Sequence, residues 1–183
     1  MAEKFLHILQ KGISKLQRLI YYGFWVAPRF EKNVIAQFHE IYCYPDVLGG
    51  TWGNTYWLGV PVQKCIFDMW VYQEILFEVR PDIIIECGTA NGGGTLFLSS
   101  VCDVIGSGNI VSVDIEDKKD RPQHKRIKYL LGSSTSKEIV EQVRQTVSGD
   151  CKVMVILDSD HHKEHVLNEL RIYNELVTEG ELI

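Results

Sequence analysis

Three consecutive isoleucines followed by an acid, a cysteine and a run of glycines, in the stretch DIIIECGTANGGGT at residues 82–95, constrain this chain more than any other feature. Three β-branched residues in a row, Ile83, Ile84 and Ile85, predict a strand covered on both faces, because a half-exposed strand alternates apolar with polar. Leu96, Phe97, Leu98 and Val101 then predict a helix. A strand that runs through a Gly-rich turn into a helix N-terminus aims backbone N–H groups and the positive end of a helix dipole at one point. That point is the expected binding site for an anionic or polar ligand.

Downstream, strand and helix patterns alternate. Strands are predicted at 83–86, 110–114 (IVSVD), 127–131 and 153–158 (VMVILD), with helices beginning near Gly94, Thr135 and His162. Thr135 with Glu138 has the form of a capping box. Upstream, Ile66, Met69, Trp70, Ile75, Leu76 and Val79 fall at helical spacing and stop at Arg80-Pro81. Alternation of this kind predicts an α/β fold with a mostly parallel sheet, helices on both faces and right-handed crossovers, whose ligands lie beyond the carboxyl ends of the strands. Glu86, Asp114, Gly132 and Asp158 all fall at such ends.

The glycine spacing separates the candidate ligands. A dinucleotide fingerprint requires Gly-x-Gly-x-x-Gly, and two residues after Gly88 stands Ala90. A phosphate-binding P-loop requires a lysine where this chain has Gly94. What remains, Glu86-x-Gly88-x-x-x-Gly92, resembles the first motif of S-adenosylmethionine-dependent methyltransferases, in which the backbone approaches the methionine moiety; a plain tight turn is the alternative. Asp114 has two carboxylate oxygens for the two ribose hydroxyls of an adenosine ligand, and Gly132, Ser133 and Ser134 can meet an adenine edge or serve only to cap the next helix.

A second chemical centre is Asp158-Ser159-Asp160-His161-His162-x-x-His165. Carboxylates at a strand end suit magnesium, and an imidazole beside them can accept a proton from a hydroxyl. Zinc is the rival, since His161 and His165 are one helical turn apart, although the Glu of HExxH is missing. The plainer expectation for Asp160 is a helix cap, and for His162 and His165 a solvent-facing position. The stretch at 116–126 (EDKKDRPQHKR) reads as a solvated loop beside the adenine pocket.

With 183 residues and 45% hydrophobic composition the chain is long enough for a proper core, and its net charge of -5 argues against nucleic acid as partner. Five dispersed cysteines without a CxxC predict reduced thiols and a cytoplasmic location. Phe5, Leu6, Leu9, Ile13, Leu16 and Ile20 predict an amphipathic N-terminal helix that packs on the domain or on a second subunit, which leaves a homo-oligomer open. The aromatic cluster Tyr21, Tyr22, Phe24 and Trp25 keeps membrane contact as a minor alternative. Residues 44–53 read as a loop, and 54–61, aromatic but without a clear period, as either a cover over a pocket or a packed loop.

From about residue 38 onward, the segments TYWLGVP, DMWVYQEIL, RPDIIIECGTANGG, VSVDIE, RPQH, GSST and LDSDHH resemble the cephalosporin hydroxylase / rhamnosyl O-methyltransferase family. The resemblance implies a Rossmann-like methyltransferase fold over 38–183, preceded by an N-terminal helix and linker at 1–37. It also implies S-adenosylmethionine as donor and magnesium-assisted methyl transfer to a hydroxyl of a small molecule, sugar or glycolipid. Carried over residue by residue, Glu86, Gly88 and Gly92 would hold the methionine part, Asp114 the ribose and Ser133 or Ser134 the adenine. Asp158 would be the metal ligand, with Asp160 its competitor, and His161 the general base. The family's hydroxylase name keeps an oxidoreductase open, and a non-catalytic assembly module is a further alternative. In the family a strand starting at Glu181-Leu182-Ile183 continues into a paired acidic motif with more metal ligands; the chain is therefore expected to be a truncated form.

Overall fold

The computed structural model describes residues 28–43 and 52–178. The predicted helix at 5–20, the aromatic cluster at 21–25, most of the 44–53 loop and the strand expected from Glu181 lie outside the described residues. The chain divides into two compact units between Thr51 and Trp52. In the first, helix α1 (Pro28–Cys43) occupies a stretch to which periodicity assigned no element, and one turn of it stacks Phe38 on Tyr42 at 5.4 Å.

The second unit holds a short hairpin, β1 (Tyr56–Trp57) and β2 (Val60–Pro61), then α2 (Ile66–Val79), β3 (Ile83–Cys87), α3 (Gly93–Ile105), β4 (Asn109–Asp114), β5 (Ile127–Leu131), α4 (Lys137–Arg144), β6 (Val153–Leu157) and α5 (Lys163–Tyr173). The four long strands pair in parallel in the order β5-β4-β3-β6, so the triple-isoleucine strand is central.

Its side chains show why it has no polar face. Ile84 packs with Met69 and Leu76 of α2 and Phe97, Leu98 and Cys102 of α3. Ile85 and Cys87 turn the other way, onto Ile139 and Val143 of α4 and Tyr173 of α5. Each fully buried aliphatic side chain of this kind contributes roughly 1.5–3 kcal/mol. The expected two-faced α/β sheet is therefore present.

Local details differ. The hydroxyl that caps α4 is Ser136, accepting from the Ile139 N–H at 3.4 Å, and not Thr135 of the expected capping box. Ser136 stands three residues before that N–H, the register a cap requires. The aromatic segment at 54–61 is the hairpin, turned through Leu58 and Gly59 at positive φ, with Trp57 edge-on to Phe97 and its indole N–H on Ser100 Oγ. It sits on the start of α3, where a Cβ at Gly93 would lie 2.3 Å from the Pro61 carbonyl oxygen. No helix among the described residues is long and apolar enough to cross a membrane.

Candidate active site

The parallel sheet brings the ends of β3, β4, β5 and β6 to one edge, and a cavity of about 470 Å³ opens there. Seven of the ten residues singled out from sequence line it: Gly88, Asp114, Gly132, Ser133, Ser134, Asp158 and Asp160. Glu86, Gly92 and His161 do not.

Gly88, at φ +101°, is held against the end of β6, and a Cβ there would lie 2.0 Å from the Asp158 carbonyl oxygen. The remaining glycines of the motif serve contacts within the protein. A Cβ at Gly92 would meet Pro122 at 2.8 Å, and one at Gly94 would meet Cε of Lys64 at 2.8 Å.

Asp114 organises the loop after β3. Its Oδ2 accepts the N–H groups of Thr89 (3.0 Å) and Ala90 (2.8 Å) and pairs with Arg121 at 3.0 Å, while Oδ1 accepts the Glu116 N–H at 2.9 Å. Oδ2 is saturated by these three, so Oδ1 is the oxygen with capacity left for a ligand hydroxyl. Arg121 also donates from Nε to the Ala90 carbonyl at 3.0 Å and lies over the Tyr129 ring. It therefore clamps Ala90, a non-glycine residue at φ +48°, whose left-handed backbone costs about 1–2 kcal/mol on its own. The stretch at 116–126 is a loop beside the cavity, as expected, with one exception to its solvation, Arg121, which is 8% exposed. One of two arginines in a stretch of mixed charges, Arg121 carried no sequence signal of this.

Glu86 is 1% exposed, on the Ile84 side of β3. Thr95 Oγ1 donates to its Oε2 at 2.5 Å and Ser112 Oγ at 2.7 Å. Burial pushes its carboxyl above the ordinary range, opposed by the charge of Lys64 and by the two hydroxyls. Lys64, 12% exposed, forms an ion pair with Asp158 Oδ2. Burial works to lower its ammonium pKa, but the charges of Glu86 and Asp158 outweigh that and hold it above the usual lysine value.

The histidines separate. His161 is 82% exposed at the rim, its Nε2 3.9 Å from Asp158 Oδ1. His162 is exposed and is itself the N-cap of α5, with no side-chain cap; Asp160 Oδ1 accepts its backbone N–H and meets its Nδ1 in a local turn before the helix, so the expected Asp160 helix cap is not formed. His165, expected to face solvent, instead lines the cavity at 24% exposure, 3.2 Å from Oε1 of the buried Glu169 and 3.3 Å from Ser134 Oγ. Glu169 also accepts from Ser134 (2.5 Å) and Ser159 (2.7 Å). The i, i+4 spacing of His165 and Glu169 on one helix was the available signal for this network.

Magnesium takes about six oxygen ligands in near-octahedral array. Among the described residues no group of three or more His, Cys, Asp or Glu side chains converges in a way that could hold a metal ion. Asp158 spends one oxygen on Lys64, and Asp160 turns to His162. His161 precedes α5 while His165 turns to Glu169, so the zinc pairing is not formed either. These residues do not fit a magnesium or zinc centre.

A parallel sheet covered on both faces, with a polar cavity at the carboxyl ends of its strands, is the architecture of Rossmann-like methyltransferases. The Mg–SAM form of CmcI superposes on 76% of this chain and 60% of its own at a TM-score of 0.59 with 22% identity. The family model for rhamnosyl O-methyltransferase/CmcI matches residues 50–183, and the chain belongs to that family. Rhamnosyl O-methyltransferase of Mycobacterium leprae is 38% identical over 155 residues, covering 82% of this chain and 66% of the relative. The Mycobacterium bovis protein of the same name is 32% identical over 155 residues, covering 82% and 62%. The chain thus spans just under two thirds of the length of these relatives.

Proposed function

We propose that the chain is the donor-binding part of an S-adenosylmethionine-dependent O-methyltransferase acting on a hydroxyl of a sugar, small-molecule or glycolipid acceptor. The observation that carries this reading is the cavity in which the Gly88 turn, the Asp114–Arg121 clamp and Ser133-Ser134 meet at one sheet edge, in a chain of this family. The names of the mycobacterial relatives and the SAM and SAH forms of CmcI support it.

S-adenosylmethionine, when bound, supplies an electrophilic methyl group. The chain's own residues divide the remaining work. Glu86, Gly88 and Gly92 belong to the loop assigned to the methionine part, with Gly88 seating that loop against the end of β6. Asp114 Oδ1 accepts from the ribose, and Gly132, Ser133 and Ser134 border the adenine end. His161 at the rim takes the proton of the acceptor hydroxyl, and Asp158, 3.9 Å away, stabilises the imidazolium that results. Magnesium, present in one CmcI form, has no matching ligand set among the described residues, and no step is routed through it.

Titration calorimetry with S-adenosylhomocysteine and with NAD tests the reading. Saturable binding of the former and none of the latter is expected; the reverse order replaces the transferase with a dehydrogenase-like protein. In a form of the protein extended to the length of its relatives, His161→Ala should lower kcat with little change in S-adenosylmethionine affinity.

A further inference from the structure

Lys64 enters the site from outside the sheet, on the segment between β2 and α2, and its partner Asp158 lies 94 residues along the chain. Its stem crosses the first turn of α3 over Gly94, where any Cβ would lie 2.8 Å from the lysine Cε. The bare Cα of Gly94 leaves room for the lysine's passage. The hydroxyls of Thr95 and Ser112 occupy Oε2 of Glu86, while Oε1 faces the Gly94 side along which Lys64 runs. The Tyr72 ring, 5.9 Å from the ammonium, closes the outer side. The ammonium thus pairs with Asp158, and Oε1 of Glu86 borders the path of its stem, at the place where the family resemblance led us to expect a divalent ion.

We propose that Lys64 is a built-in cation of this site, a positioning residue that pins Asp158 through Oδ2 and competes with divalent metal for that carboxylate. Two buried or half-buried acids in a low-dielectric setting need positive charge nearby, and an ammonium on a flexible stem supplies it without six oxygen ligands. The remaining oxygen of Asp158, Oδ1, is the one directed toward His161. Pinning Oδ2 therefore fixes how Asp158 presents itself at the cavity rim. The link to His161 rests on the transferase reading; the competition with metal does not.

Manganese serves as the probe, with free Mn2+ followed by electron paramagnetic resonance at pH 7. The wild-type chain should show no saturable binding below millimolar concentration, Lys64→Met should gain at least tenfold in affinity, and Lys64→Arg should restore the weak binding. Micromolar binding by the wild type, or equal affinity in Lys64→Met, overturns the proposal. Because Lys64→Met leaves two acids uncompensated and can fail to fold, a second measurement uses amine acetylation with peptide mapping. Lys64 should react at least tenfold faster in Asp158→Asn than in the wild type, and an unchanged rate overturns the pinning. S-adenosylhomocysteine calorimetry on the same samples reports separately on the transferase reading, so the two can fail independently.

Discussion

Replacing Gly88 by alanine separates two costs that the fold superimposes at this position. Gly88 and Gly106 both lie in the left-handed region, at φ +101° and +86°, but an added Cβ at Gly106 meets nothing within 4 Å. Alanine at Gly106 therefore bears the backbone cost alone, about 1 kcal/mol once the reduced entropy of the unfolded chain is subtracted. At Gly88 the new methyl would lie 2.0 Å from the Asp158 carbonyl oxygen, 2.6 Å from its carbon and 2.9 Å from the Ser159 nitrogen. These are backbone atoms, so the end of β6 must move, and displacements of that kind cost about 1–3 kcal/mol more. The expected total of about 2–4 kcal/mol is a large share of a domain stability of roughly 5–15 kcal/mol. Urea unfolding followed by tryptophan fluorescence, with both variants fitted to a common slope, measures the difference. Equal destabilisation of the two variants, within about 0.5 kcal/mol, would refute the claim that β3 and β6 touch through this glycine.

Arg121→Lys should weaken S-adenosylhomocysteine binding by about 1–3 kcal/mol in calorimetry, because an ammonium cannot reproduce the guanidinium's two-site hold on Ala90 and Asp114; unchanged affinity would count against the clamp. Asp103 is held down to about 2, first by the hydrogen bonds from Arg126 and Lys125. Its contribution to stability is full above its unfolded value near 3.8 and is lost as pH falls through 2, so Asp103→Asn should lower the urea midpoint at pH 6 and by clearly less at pH 2; a difference at pH 2 as large as that at pH 6 removes this account. Under native iodoacetamide labelling, Cys65 and Cys151 should react well before the buried Cys87 and Cys102, whose thiols burial pushes upward, Cys102 to about 11; equal rates by peptide mass mapping would contradict the packing.

The sheet was legible because two-sided burial leaves a run of β-branched residues that few other environments produce. Predicted strands at 127–131 and 83–86 fall on β5 and β3 to within a residue, and Arg80-Pro81 ends α2 where expected. Strand-end residues were legible for the same reason, since a parallel sheet sends every strand's last residue to one edge. What the sequence did not disclose depends on contacts distant along the chain. Lys64 acquires its meaning only when the hairpin brings it over Gly94 to Asp158, and Arg121 only when the loop folds back on Ala90. His165 sits on the inner side of α5 because Glu169, one turn later, is drawn inward by two serine hydroxyls from other elements. Gly92 was assigned to the methionine part, yet its close neighbours are Pro122 and Tyr129.

The place of β3 between β4 and β6 also fixes an order of events on the ribosome. β3, β4 and β5 can pair once residue 131 is free, but the other neighbour of β3 is synthesised only after a further helix. During that interval the triple-isoleucine strand has one bare edge, a template for intermolecular pairing that chaperones are suited to cover. The Gly88 turn has nothing to rest against until Asp158 and Ser159 arrive. A ligand of this cavity therefore finds no wall at the Gly88 turn until β6 has paired with β3.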